Sequence, residues 1–140
     1  MKFLVIEDGE IKRKDIERFL KENYPDAAIE TAAAYSSGLI KAYKGGYDVI
    51  ILDNSLPYYE DRPYDIQPDM ARNILEELLK FPAGAIPRCV ICSQYDGNTK
   101  DVEFEMITRQ YKHCIGYVQY DNCSSDWEGK LKELINQYEE

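Results

Sequence analysis

The chain has 140 residues, a formal net charge of −9 and 44% apolar content, which fits one domain with a proper core and predicts no second module. An excess of 26 acidic over 17 basic residues and a pI near 4.7 disfavour nucleic acid as a direct ligand, because polyanion binding relies on clustered Lys and Arg. No apolar run approaches the roughly 18 residues needed to span a membrane.

Phe3 to Ile6 form a four-residue apolar run ended by Glu7-Asp8. It is too short for a signal-peptide core, so it predicts a first strand in a chain that starts here and stays in the cytoplasm. The densest basic group, Lys12-Arg13-Lys14, comes at a helix start and is followed at once by Asp15 and Glu17. Ile11, Asp15, Ile16, Phe19 and Leu20 recur at three- and four-residue steps, the period of an amphipathic helix that ends near Tyr24-Pro25. Ala27 to Thr31 suit a short second strand. Ser36-Ser37 offer an N-cap to a helix carrying Leu39, Ile40 and Tyr43 that stops at Gly45-Gly46. Tyr47 to Leu52 form the third strand, whose run Val49-Ile50-Ile51-Leu52 is continuous as in a central parallel strand covered on both faces. Asp53 stands at its exit.

Pro57 to Pro68 hold three prolines, three tyrosines and three acids without helical periodicity, and read as a long loop. A helix from about Asp69 turns Met70, Ile74, Leu75, Leu78 and Leu79 inward and ends near Phe81-Pro82. Arg88 to Ser93 are a fourth strand, Asp96-Gly97-Asn98 a turn, and roughly Thr99 to Tyr111 a weaker helix. Cys114 to Gln119 make a fifth strand. The last helix starts near Ser124-Ser125-Asp126 and carries Trp127, Leu131, Leu134, Ile135 and Tyr138. Five strands alternating with five helices, joined by crossovers long enough for right-handed βαβ units, predict an α/β fold. The expected form is a doubly wound three-layer sandwich around a five-stranded parallel sheet of flavodoxin-like order 2-1-3-4-5.

Cys89, Cys92, Cys114 and Cys123 invite a zinc reading, since Cys89-Val90-Ile91-Cys92 has a ligand-like gap and His113 adjoins Cys114. In a strand, however, residues three apart point to opposite faces, which spoils chelation. Four buried, reduced thiols are expected instead, with His113 an ordinary surface or loop residue.

Open α/β sheets place their chemistry outside the carboxyl ends of the strands. That rim receives Glu7, Asp8, Asp53, Ser93 and Tyr120. Three clustered carboxylates imply a divalent cation, a shared proton, or both.

The stretches Val5-Ile6-Glu7-Asp8, Tyr47 to Pro57 and Gly116-Tyr117-Val118, in that order over nearly the whole chain, resemble the receiver domain of two-component response regulators. The resemblance implies Asp53 as phosphoacceptor and a Mg²⁺ site made by Glu7, Asp8, Asp53 and the backbone carbonyl of Ser55. It implies Ser93 as the hydroxyl that bonds the phosphoryl group and Tyr117 as the aromatic that turns inward when that hydroxyl moves. The partners it implies are a histidine kinase or phosphotransfer protein and a downstream protein target; a homodimer is compatible. Phosphoryl transfer to a carboxylate needs such a cation to neutralise charge and align the reactants.

Two departures stand out. The family's lysine, three residues after the switch aromatic, is here Tyr120, followed by Asp121 instead of proline. Loss of a charge-assisted contact of this kind costs on the order of 1.5 to 3 kcal/mol, and Arg62 or another loop cation is a candidate replacement. The second departure is the Pro57 to Pro68 loop, longer than the usual turn and without its glycine. The leading expectation is a stand-alone signalling receiver, not an enzyme, phosphorylated on Asp53. The alternative is an atypical receiver that binds partners without phosphorylation. A metal-dependent phosphohydrolase is disfavoured, because aspartyl phosphatases want a second acid where Ser55 stands.

Overall fold

A computed structural model describes residues 1–94 and 97–139. In chain order the elements are β1 (Lys2–Ile6), α1 (Glu10–Asn23), β2 (Ala28–Ala32), α2 (Tyr35–Lys44), β3 (Val49–Leu52), β4 (Leu56–Pro57), β5 (Ile66–Gln67), α3 (Met70–Leu78), β6 (Arg88–Ser93), α4 (Gly97–Gln110), β7 (Cys114–Gln119) and α5 (Asp126–Glu139), with a short 3₁₀ turn at Ala83–Ala85. Five strands pair in parallel in the order β2-β1-β3-β6-β7. Counted as the five long strands, this is the expected 2-1-3-4-5 order, a flavodoxin-like sheet flanked by helices.

The alternation of side chains along each strand divides the core into two layers. Leu4, Ile6, Ile50, Leu52, Cys89 and Ile91 meet α2, α3 and α4 through residues such as Leu39, Ile74 and Phe104. Phe3, Val5, Ile51, Val90 and Cys92 meet α1 and α5 through Ile16, Phe19, Trp127 and Leu131. Cys89 and Cys92 therefore lie on opposite faces of β6. All four cysteines are free thiols, but Cys123 is exposed, contrary to the expectation of four buried ones. His113 is buried, not a surface residue, and its Nε2 lies 3.0 Å from the Leu75 carbonyl oxygen.

Two glycines are fixed by close approach. A Cβ on Gly38 would meet Ile6 Cδ1 at 2.7 Å, where α2 crosses β1, and one on Gly116 would meet Leu134 Cδ2 at 2.7 Å, where α5 crosses β7. Both separations are shorter than carbon atoms tolerate, so the missing side chain sets how closely helix and sheet pack.

Several local expectations change. Pro57 to Pro68 is not wholly irregular: Leu56–Pro57 and Ile66–Gln67 pair antiparallel as a small hairpin. Glu60 in its turn accepts hydrogen bonds from the Ala33 amide and the Ser37 hydroxyl, both at 3.1 Å, and the Tyr58 carbonyl accepts one from the Ser36 amide at 3.0 Å. Ser36 and Ser37 thus fasten the hairpin instead of capping α2, which begins at Tyr35 after Ala34 without a side-chain cap. Ile40 and Tyr43 on α2 are exposed, as is Leu79, which follows the end of α3 at Leu78. On α1, Ile11 is 76% exposed, and the first inward turn belongs to Lys12. Of the foreseen Asp96-Gly97-Asn98 turn, Asp96 lies outside the described residues and Gly97 and Asn98 already belong to α4. The inward placement of Tyr138 likewise lies outside the described side chains.

Candidate functional site

The acids are brought together by strand pairing carried one residue past each strand. The Asp53 amide donates to the Ile6 carbonyl at 3.2 Å, and the Glu7 amide donates to the Ala32 carbonyl at 2.9 Å. Backbone geometry therefore sends Glu7 and Asp53 out of neighbouring strands at the same rim. Glu7, Asp8 and Asp53 each offer a carboxylate oxygen, and these oxygens lie within 4.8 Å of one another. The turn that follows β1 is held by its own polar groups. The Gly9 amide donates to Glu7 Oε2 at 2.8 Å, and Arg13 Nη1 donates to the carbonyls of Glu7 at 3.0 Å and Asp8 at 3.3 Å.

Lys12 is the residue the sequence reading did not place here. Its ammonium lies 2.7 Å from Glu7 Oε1 and 3.3 Å from Asp53 Oδ2, and it donates to the Cys92 carbonyl at 2.6 Å. The side chains of the three charged residues are only 8%, 5% and 12% exposed for Lys12, Glu7 and Asp53. A sequence signal existed: Lys12 is one helical turn before Ile16 and two before Phe19, on the face of α1 that packs against the sheet. Lysine is so seldom buried unless paired that the position read as solvated.

Burial disfavours the charged form of Glu7 and pushes its pKa upward; Lys12 opposes this and Asp53 adds to it. For Lys12, burial acts to lower the pKa, but Asp53, Cys92 and Glu7 outweigh it and the ammonium is held more firmly than in water. With the three acids ionised and Lys12 protonated, the cluster carries three negative charges and one positive. One divalent cation would cancel the remaining two, and carboxylates are the oxygen donors that Mg²⁺ or Mn²⁺ prefers. Glu7, Asp8 and Asp53 therefore fit a hard divalent ion.

Asp53 is also tied to the loop that follows it. Its Oδ1 accepts the Asn54 amide at 2.7 Å. Asn54 is buried, its carbonyl accepting the Met70 amide at 2.9 Å and its side-chain oxygen the Ala71 amide at 3.3 Å. It thereby serves two donors at the start of α3, where Asp69 makes no side-chain cap. Ser55 is exposed on the bend after Asn54.

Ser93 is buried at the end of β6, and its carbonyl accepts the Tyr120 amide at 2.9 Å. Tyr120 is 3% exposed, and its hydroxyl donates to Asp15 Oδ2 at 2.9 Å on α1. Burial and that hydrogen bond raise the phenol pKa, so the hydroxyl stays protonated. The ring itself faces Lys12, whose nitrogen is 5.6 Å from its centroid, and packs on Trp127 at 5.2 Å. Tyr117 lies farther along the face between α4 and α5. Its ring is 5.8 Å from Phe104, Lys130 Nζ sits 4.7 Å above it, and its hydroxyl donates to Glu105 at 3.3 Å. Arg62 lies in the β4–β5 turn, its amide donating to the Tyr59 carbonyl at 3.2 Å. The cation beside Asp53 thus comes from α1 and not from that loop.

No family model matches the chain. It is 23% identical, over 94% of its length and 95% of the relative's, to the uncharacterised protein y4jR of Sinorhizobium fredii. Solved structures with the same fold include a response-regulator receiver domain protein from Clostridium thermocellum, at TM-score 0.65 and 17% identity over 99% of this chain and 96% of that one. They also include the Mn²⁺-bound form of response regulator Rcp1, at TM-score 0.68 and 16% identity over 98% and 93%. A third is the complex of the CheA3 P1 domain with CheY6 from R. sphaeroides, at TM-score 0.66 and 17% identity over 97% and 94%. The fold is that of CheY-like receiver domains, and among the described residues no helix is long and apolar enough to cross a membrane.

Proposed function

We propose that this chain, which has the fold of response-regulator receivers, is a cytoplasmic signalling receiver that accepts a phosphoryl group on Asp53. The observation that carries the proposal is the meeting of Glu7, Asp8 and Asp53 within 4.8 Å at the carboxyl ends of β1 and β3. One Asp53 oxygen attacks phosphorus, a new oxygen–phosphorus bond forms, and the bond to the donor breaks with its electron pair leaving on the donor. A phosphohistidine of a histidine kinase or phosphotransfer protein is the donor class. A Mg²⁺ ion held by Glu7, Asp8, Asp53 and the Ser55 carbonyl would neutralise the phosphoryl oxygens.

Ser93 is assigned the hydroxyl that bonds the phosphoryl group, and Tyr117 the aromatic that reports it. The position of Tyr117 between Phe104 and Lys130 supports this, because a change of its rotamer alters the face made by α4, β7 and α5. That face is assigned to a downstream protein target, and the protein acts by binding it, not by turnover. A second reading, partner binding without phosphorylation, draws on one observation: the Tyr120 hydroxyl is committed to Asp15 at 2.9 Å.

Incubation with acetyl phosphate and Mg²⁺, followed by intact-mass measurement, tests the choice. The expected result is one added phosphoryl group on wild type and none on Asp53→Ala. An unmodified wild type would support the second reading, and equal labelling of the variant would remove Asp53 from the role.

A further inference from the structure

We propose that Lys12 is the fixed cation of the phosphoryl site, delivered from the first turn of α1. The proposal rests on Asp53 being the acceptor and goes beyond it by naming the residue that clamps the transferred group. Three observations carry it. The Lys12 ammonium is 3.3 Å from Asp53 Oδ2, so an oxygen on phosphorus bonded to Asp53 comes within reach of the same nitrogen. It is anchored by the Cys92 carbonyl at 2.6 Å and by Glu7 at 2.7 Å, which hold it in place before any reaction. It is also nearly enclosed, at 8% side-chain exposure, where an ammonium acts more strongly on developing charge than it does in water.

Tyr120 completes the arrangement without contributing charge. Its hydroxyl is taken by Asp15, and its ring lies against the ammonium at 5.6 Å, so the aromatic occupies the space on the α5 side and keeps Lys12 directed at the acids. The attack itself is balanced without a proton from Lys12. Acetyl phosphate loses acetate as the oxygen–phosphorus bond to Asp53 forms, and the ammonium remains protonated while it pairs with the phosphoryl oxygens.

The test is the rate of phosphorylation by acetyl phosphate with Mg²⁺, read by intact mass, for wild type, Lys12→Met, Lys12→Arg and the double variant Lys12→Met/Tyr120→Lys. Circular dichroism confirms that each variant is folded. Lys12→Met is expected to slow phosphorylation roughly 10- to 100-fold, the range for loss of a charge-assisted contact. Lys12→Arg keeps the charge and is expected to retain more of the rate than Lys12→Met. The double variant, which offers an ammonium from the end of β7, is expected to recover at least part of the loss; a packing role for Lys12 would give no such recovery. If Lys12→Met is unfolded, the comparison of Lys12→Arg with Lys12→Gln decides: an equal rate in the two overturns the proposal. Wild type that is phosphorylated alongside an unaffected Lys12→Met overturns the Lys12 assignment alone. Wild type that takes no phosphoryl group overturns the acceptor reading and this assignment with it.

Discussion

At the scale of single residues, burial decides which ionisable groups do something other than face water. His113 is an example outside the acid cluster. Burial lowers its pKa, the Leu75 carbonyl and Glu76 act in the other direction, and Arg88 adds to the lowering. Its folded pKa is therefore below the unfolded value of about 6.5. Between those two values the unfolded chain binds more protons, so the stability present above pH 6.5 is lost as pH falls through the folded pKa. Denaturant titrations at pH 7.5 and 5 should show a larger loss for wild type than for His113→Gln. Comparing the two proteins cancels the contribution of Glu7, which they share. Lys12 shows the same principle in a pairing: a lysine that looks solvated in a run of Lys-Arg-Lys is enclosed because two carboxylates and a carbonyl receive it.

At the scale of elements, the sequence was legible wherever a strand or helix is long enough to impose its period. Phe3 to Ile6 read as the first strand and Val49 to Leu52 as a central one covered on both faces, and both runs are fully buried in the sheet. The β4–β5 hairpin escaped because two-residue strands carry no alternation to detect, and its anchors on Ala33, Ser36 and Ser37 are long-range. Lys12 escaped for another reason: helix period put it in step with Ile16 and Phe19, but Ile11 competed for the inward position and an apolar residue outranks an unpaired lysine there. Asn54 escaped because its two contacts to the start of α3 lie across the intervening hairpin. Where helices press on the sheet, the consequence is measurable. Gly116→Ala forces a carbon into the space held by Leu134, and unfolding free energy should fall by about 1 to 3 kcal/mol, as for other overpacked sites. Urea denaturation checks this, with Gly84→Ala, which meets no atom within 4 Å, as the neutral control.

At the scale of the whole molecule, fold and electrostatics combine in the response to metal. The Glu7 pKa is raised above its unfolded value, so its contribution to stability is present below the unfolded pKa and is lost as pH rises through the folded one. A divalent ion at the three acids would reverse that loss by pairing with the ionised form. Mg²⁺ should therefore raise the melting temperature of wild type more at pH 8 than at pH 6. Asp53→Asn should respond less at either pH. Differential scanning calorimetry with and without 10 mM Mg²⁺, taken as about ten times an assumed millimolar dissociation constant, would give roughly 1.4 kcal/mol of stabilisation. No change in wild type would remove the metal from the account.

The placement of the ammonium has a mechanical consequence. Glu7 and Lys12 are near neighbours in the chain and meet as soon as α1 docks on β1, a local contact formed at little loop-closure cost. The crevice is thus partly neutralised without waiting for the C-terminal strand to join the sheet. Once folded, the cation and the reporting face belong to different elements, α1 on one side and α4, β7 and α5 on the other. The Tyr120 ring, just past the end of β7 and packed on Trp127 of α5, is where the two meet, so a shift of β7 or α5 that moves this ring also bears on how the ammonium beside Asp53 is directed.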